Sequence, residues 1–389
     1  MQQQSWSKLL AAMKNFAKTL IMKQQTSATT ETGIKIRNIV SYAGKTIFVG
    51  IDVHKKDWQV ATFCEGMALG NHRMKADCDQ LIRHLRHRYP DASLKCVYES
   101  CAWGFELHRD LKTVGIDCIV AHAADVPGSN KEFFNKDDST DAMRLARHYA
   151  GGLIHGIYIP QQEIQKHRNL IRFRKKLVND LSRSKNRLKS LLKYEGIIIP
   201  AQFDNTSWSN NFLKWIYEEG ERDILLRDTI WLMLEQIKQL RQLLLKAERK
   251  VRELARDERY NQQARLLMSI PGIGCVTAML LLLEIGNIRR FKSFDQLNSF
   301  VGFYPGTFSS GERNRDTGLS FRRHNQLRTH LVEASWQLLR RDPAMMECYQ
   351  QLIKKMKGSE AIIRIARKLL RRIRAILLDG RPYQVGVIA

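Results

Sequence analysis

An α/β domain followed by two helical domains is the architecture that this sequence predicts, on three observations. Between Lys45 and about Pro160, short apolar runs of buried-strand type alternate with amphipathic stretches of helical period. From Gln161 the pattern changes to two long leucine-striped stretches, separated by a break that contains Pro200. Beyond residue 260 the periodic segments are helical, and the first two are joined by Pro271-Gly272-Ile273-Gly274. The expected division is a basic extension over 1–44, an α/β domain over 45–160, a helical stalk over 161–260 and a C-terminal helical domain over 261–389.

Composition narrows the function before any motif does. Lys and Arg outnumber Asp and Glu 64 to 39, a net charge of +25 over 389 residues. That excess favours a polyanionic partner, nucleic acid ahead of an acidic membrane surface. No apolar run approaches the roughly 18 residues of a membrane span; the longest candidate, Val276–Ile285, is short and contains Glu284. The seven cysteines show no paired spacing, which argues against a zinc finger or a disulfide framework and for a reducing cytoplasm.

Residues 1–44 have Glu31 as their only acid and read as a loosely ordered basic leader rather than a transit peptide. Ile47–Ile51 is an apolar run, the bend falls over His54–Asp57, and alternation resumes at Trp58, Val60 and Thr62, so this stretch predicts a β-hairpin. Met67–Met74 predicts a third strand and Asp79–Tyr89 a helix with Leu81, Ile82 and Leu85 on one face. Leu94–Ser100 is another strand, Gly104–Val114 a helix stopped by Gly115, and Cys118–Ala121 a further strand. Three strands, helix, strand, helix, strand is the order of a ribonuclease H-like sheet.

Acids stand where that order would bring them together. Asp52 interrupts the first apolar run, where a carboxylate costs free energy unless a cation or donors satisfy it. A divalent metal would do so, because carboxylate oxygens suit Mg²⁺ or Mn²⁺; Asp52 as a simple turn residue is the competing explanation. Glu99 ends its strand as Asp52 ends its own. Asp138 and Asp141 lie three apart at the start of a helix marked by Ala142, Leu145, Ala146 and Tyr149, and like charges at that spacing repel unless a cation relieves them. Helix capping accounts for one or two of these acids, but Asp137, Asp138 and Asp141 together exceed what a cap needs.

The helical part is basic. Gln161–Glu195 carries Arg172, Arg174, Lys175 and Lys176 beside a stripe of Leu170, Leu177, Leu181, Leu188 and Leu192. Paired with a second long helix over Trp231–Glu253, it predicts an antiparallel coiled coil with a phosphate-contacting face. The Pro271–Gly274 turn has the helix-hairpin-helix pattern, in which Gly272 and Gly274 would expose backbone N–H groups to a phosphate; an ordinary turn between core helices shares that pattern. Thr307–Gly318 reads as a polar loop, and His324–Arg340 as an amphipathic helix. Ser320, close in sequence to Arg315, Arg322, Arg323 and His324, is a candidate nucleophile toward a phosphodiester. Ala361–Leu377 sets an Ile/Leu stripe against Arg364, Arg367, Lys368 and Arg371.

Gly50-Ile-Asp-Val-His-Lys, Tyr98-Glu-Ser, Asp138-Ser-Thr-Asp-Ala, Ser269-Ile-Pro-Gly-Ile-Gly and Phe300-Val-Gly-Phe-Tyr-Pro with Ser309-Ser-Gly, in this order, resemble the DEDD-type insertion-sequence transposases of the IS110 and IS1111 groups. The resemblance runs from about Lys45 to the C-terminus. It implies a RuvC-like domain whose four acids fall on Asp52, Glu99, Asp138 and Asp141 and bind Mg²⁺ or Mn²⁺. It also implies a coiled coil that mediates assembly and a C-terminal transposase domain whose serine nucleophile is, by position, Ser320. Further implications are an oligomer, a dimer or tetramer, that recombines donor and target DNA under the guidance of a structured RNA. The setting implied is the bacterial cytoplasm, at the nucleoid. The segment Leu319-Ser-Phe-Arg-Arg-His-Asn departs from the family, which has a Lys and then a Gly soon after the hydroxyl residue. Two alternatives stand beside this expectation: a junction-resolving nuclease with the same acids and no covalent intermediate, and a catalytically dead nucleic-acid-binding protein.

Overall fold

The computed structural model describes residues 41–100, 103–127, 137–205, 207–310, 313–319 and 323–386, and of 305–317 only backbone. The basic leader therefore lies outside the described residues, apart from its last four positions. The chain divides into two compact units, Met1–Ile159 and Pro160–Ala389.

The first unit is built on a five-stranded mixed sheet in the order β3-β2-β1-β4-β5. Its strands are β1 (Thr46–Val53), β2 (Asp57–Cys64), β3 (Met67–Lys75), β4 (Ser93–Glu99) and β5 (Asp117–Ala121). The first three form an antiparallel meander, and β4 and β5 add in parallel beside β1. Alternation sorts each strand between two faces. Ile47, Val49, Ile51, Cys96, Tyr98, Cys118 and Val120 pack with Leu81 and Leu85 of α1 (Cys78–Arg88) and Leu107 and Leu111 of α2 (Glu106–Thr113). The opposite face, with Val97 and Ala121, meets Leu145 of α3 (Asp138–Ala150). Gly115, expected to stop α2, follows it at φ +79°. A mixed sheet of this order with flanking helices fits a ribonuclease H-like domain.

The second unit is helical. α4 (Gln162–Tyr194) and α6 (Ile224–Ala255) run antiparallel: Arg174 pairs with Glu248 while Ser184, further along α4, bonds Gln236, earlier on α6. The expected break containing Pro200 is present, since the described residues from 196 to 209 hold no helix, but the second long helix starts earlier than expected. Between the two lies α5 (Asn210–Arg222), capped by Ser209, whose Phe212 and Ile216 fill the space between Leu188, Leu192, Ile230 and Ile237. Asp223 then caps α6, accepting from the N–H groups of Leu225 and Leu226, so that helix begins before Trp231.

α7 (Glu258–Met268) and α8 (Cys275–Ile285) flank the Pro-Gly-Ile-Gly turn, followed by α9 (Phe294–Val301). The expected polar loop over Thr307–Gly318 is a hairpin instead, β6 (Pro305–Ser310) with β7 (Arg313–Leu319), in which Ser310 pairs with Arg313. A two-stranded ribbon needs no apolar run, so polar composition does not argue against a strand. α10 (Asn325–Leu339), α11 (Pro343–Ile353) and α12 (Gly358–Asp379) complete the unit. α8 is the centre of its core: every residue from Ala278 to Ile285 is buried, Glu284 included.

Candidate metal centre

Strand register brings the acids together. Ile51 of β1 is paired with Tyr98 of β4, so the next position along these parallel strands sets Asp52 beside Glu99. Both side chains belong to the face that α3 covers, because their neighbours Ile51 and Tyr98 point to the other. The first turn of α3 supplies Asp138 and Asp141. Gly50 makes the approach of α3 possible: a Cβ there would lie 2.0 Å from the Ala142 carbonyl oxygen and 2.6 Å from the Ala146 nitrogen. The backbone of α3 thus rests directly on β1, two residues from Asp52.

The four acids form two groups. His54 Nε2 lies 3.0 Å from Asp52 Oδ2 and 3.4 Å from Asp138 Oδ1. In the other group, Arg144 from the second turn of α3 reaches Asp141 Oδ1 at 3.0 Å and Glu99 Oε1 at 3.8 Å. Burial pushes the Asp52 carboxyl up, against the hydrogen bond and charge of His54, and the charges of Asp138 and Asp141 add to the rise. The hydrogen bond to Asp52 in turn holds His54 above its ordinary value, despite the opposing effect of burial. This is the electrostatic signature of a place short of positive charge. Asp52, His54 and Asp138 each offer one ligand atom, all within 4.8 Å of one another, so the donors present fit a divalent cation.

His54 and Arg144 are residues of the candidate site that sequence reasoning passed over. His54 reads as part of the hairpin bend, and it lies just past the end of β1, where its ring turns back to Asp52; Arg144 reads as one charge in an amphipathic helix.

The expected nucleic-acid contacts have different surroundings. Arg172 forms a two-point pair with Glu284 at 2.8 Å and 2.8 Å, and Arg174 pairs with Glu248 at 2.6 Å, so both are engaged within the chain. Lys176 is exposed and Lys175 half-buried, with no ion pair among the described residues. Glu284 is 2% exposed and answered by three residues: Arg172 and Arg168 of α4, and His324 before α10 at 3.3 Å. Burial pushes its carboxyl up, but hydrogen bonds from His324 and Arg172 and the charge of Arg172 prevail and bring it to about 2. His324 Nδ1 accepts the Leu327 N–H, which leaves its Nε2 proton for Glu284.

In the Pro-Gly-Ile-Gly turn the two glycines differ. Gly272 has φ +91°, and a Cβ there would meet the Ala334 carbonyl oxygen at 2.6 Å, so it is packed against α10. Gly274 caps α8, is exposed, and has open space where a Cβ would go. On α12, Arg364, Lys368 and Arg371 are exposed without an acid partner among the described residues, and Arg371 stacks over Phe294 at 4.6 Å. Ser320 and Arg322 lie outside the described residues; Arg323 is exposed. Among the described residues no helix is long and apolar enough to cross a membrane.

Comparison with known proteins gives this geometry its context. The DEDD transposase family model of IS110 matches residues 49–195, and the model described as Transposase IS116/IS110/IS902 family matches residues 264–350. The transposase for insertion sequence element IS1533 of Leptospira borgpetersenii is 28% identical over 309 residues, 75% of this chain and 85% of that one. The transposase for insertion sequence element IS1111A of Coxiella burnetii is 26% identical over 358 residues, 87% of this chain and 91% of that one. A pilin gene-inverting protein of Moraxella bovis is 33% identical over 126 residues, 32% of this chain and 39% of that one. With both family models in their expected order, one over the acid-bearing sheet and one over the Pro-Gly-Ile-Gly region, the chain belongs to the DEDD-type transposases of the IS110 family and is a DNA transposase.

Proposed function

We propose that this transposase cuts and rejoins DNA strands at a metal centre formed by Asp52, Glu99, Asp138 and Asp141, with Ser320 as its covalent nucleophile. The observation that carries the first half is the convergence of β1, β4 and the first turn of α3, which gathers four acids around His54 and Arg144. Mg²⁺ or Mn²⁺ held there would polarise a scissile phosphodiester. The Ser320 hydroxyl oxygen would bond to phosphorus as the leaving strand's oxygen departs, conserving the bond energy for rejoining. Arg322 and Arg323 would stabilise the added charge at phosphorus.

Binding would be spread over the helical unit. Exposed Arg364 and Arg371 on α12, Lys175 and Lys176 on α4, and the exposed start of α8 at Gly274 in a helix-hairpin-helix turn over Gly272–Gly274 offer contacts suited to a phosphate backbone. For Arg172 and Arg174 the same role would require exchanging an acid of this chain for a phosphate. The antiparallel helices are read as a coiled-coil stalk over 161–260, preceding a transposase domain over 261–389. The large exposed apolar side chains Leu225, Leu232 and Leu245 on α6 favour an oligomer, a dimer or tetramer, assembled along it. A structured guide RNA and a place at the bacterial nucleoid complete the reading, on the resemblance and the positive charge.

The test is a suicide DNA substrate resolved on a denaturing gel, with the RNA that co-purifies with the protein retained and sequenced. Cleavage with an adduct that Ser320→Ala removes, while binding persists, supports the proposal. If Ser309→Ala or Ser310→Ala removes the adduct instead, the nucleophile is misassigned. Cleavage without any adduct favours a junction-resolving nuclease, and no cleavage at all a dead binding protein.

A further inference from the structure

His54 contributes nothing to the core of the first unit. Its side chain is 49% exposed at the bend between β1 and β2, two residues past Asp52. Yet it lies between two carboxylates from separate elements, Asp52 from β1 and Asp138 from α3. Among the described residues, this is the one trio of His, Cys, Asp or Glu whose donor atoms come within 4.8 Å of each other.

The two groups of acids are also unequally answered. Arg144 bridges Asp141 and Glu99 and brings a permanent positive charge to that pair. Asp52 and Asp138 face an imidazole, which has a lone pair to offer once a cation competes with its proton. Mg²⁺ takes oxygen donors in a strict octahedron and holds its waters. An imidazole nitrogen beside carboxylates suits a softer, first-row ion better.

We propose that His54 is a nitrogen ligand of the cation held by Asp52 and Asp138, and that it biases this centre toward Mn²⁺ over Mg²⁺. His54 has this role only if those acids bind a divalent cation at all, as proposed above, and binding measurements on the full chain separate the two. Mn²⁺ is titrated with wild type, Asp52→Asn, His54→Ala and His54→Gln; electron paramagnetic resonance reads the free ion, pulsed spectra read ¹⁴N coupling, and Mg²⁺ is the competitor. Wild type should show nitrogen coupling and prefer Mn²⁺ by about tenfold or more. His54→Ala and His54→Gln should lose the coupling and most of that preference. Circular dichroism should report an unchanged fold, since the side chain is half exposed. Binding that Asp52→Asn abolishes, but that shows no coupling and is unchanged in both His54 variants, overturns the role of His54 and leaves the metal centre standing. Equal, weak binding by wild type and Asp52→Asn overturns the metal centre, and His54 with it.

Discussion

Glu284 in the helical unit and Asp52 in the α/β unit are both carboxylates drawn in from solvent, and the protein answers them in opposite ways. Around Glu284 stand Arg168, Arg172 and His324, three cationic or donating groups for one acid, and its carboxyl is driven down to about 2. Around Asp52 the proportion reverses. Four acids share His54 and Arg144, and the Asp52 carboxyl is driven up. The first arrangement is complete within the chain and belongs to the architecture. The second would be completed from outside, by the cation proposed above, which is what distinguishes a site from a buried ion pair of similar composition.

Substitutions that remove each acid sharpen that contrast. Asp52→Asn or Asp141→Asn should lower strand cleavage in Mg²⁺ or Mn²⁺ by about a hundredfold or more, with nucleic-acid affinity kept, in a gel-based cleavage assay. Because protonation relieves Asp52 in the folded state, Asp52→Asn should melt at the same temperature as wild type or higher. Glu284→Ala should do the reverse, leaving two arginines without their acid and costing the helical unit about 3–5 kcal/mol in urea unfolding. A variant of Glu284 that leaves stability untouched would break the comparison.

Acid should separate the two sites in the same way. The Glu284 value lies below its ordinary 4.5, so its stabilisation is fully present above that pH and is lost as pH falls toward about 2. Asp52 is shifted upward, so the α/β unit gains from its protonation over the range just above the ordinary carboxylate value. Acid titration of Glu284→Gln should show a flatter loss of helical-unit stability than wild type.

The turn glycines give smaller effects. Gly272→Ala combines positive φ with a clash against α10 and should cost about 1–3 kcal/mol; Gly274→Ala, at negative φ in open space, should stay within about 0.5 kcal/mol. Reversing Lys176 should change least, reducing the salt slope of nucleic-acid binding by about one unit. An unchanged slope would mean that this lysine is merely solvated.

What could be read from the sequence follows from the range of the signals. Strand alternation and helical period are local, so β1 to β5 and the α/β order were legible, and with them the proximity of Asp52 to Glu99. The partners of Arg172 and Arg174 lie on α8 and α6, more than seventy positions away in the chain. A helix face rich in arginine therefore looks like a phosphate surface until those acids are placed. Glu284 itself was visible only as an interruption in an apolar run; a lone Glu within Val276–Ile285 is the signal that could have exposed the ion pair. Short α5 and α11 escaped although α5 carries an apolar face of Phe212 and Ile216: each spans only about three turns, and its start at Ser209 or Asp342 was the local signal that could have marked it.

The contact at Gly50 has a consequence for how copies of such an element decay. One added methyl would meet the backbone of α3 at 2.0 Å, so helix and strand would have to separate, carrying Asp138 away from Asp52. A copy with Gly50→Ala would keep all four acids, the serine and every basic residue, yet its centre would be pulled apart. An inventory of catalytic letters would still count it among the living. In a lineage of mobile elements, the silent glycine is as good a marker of competence as the acids it brings together.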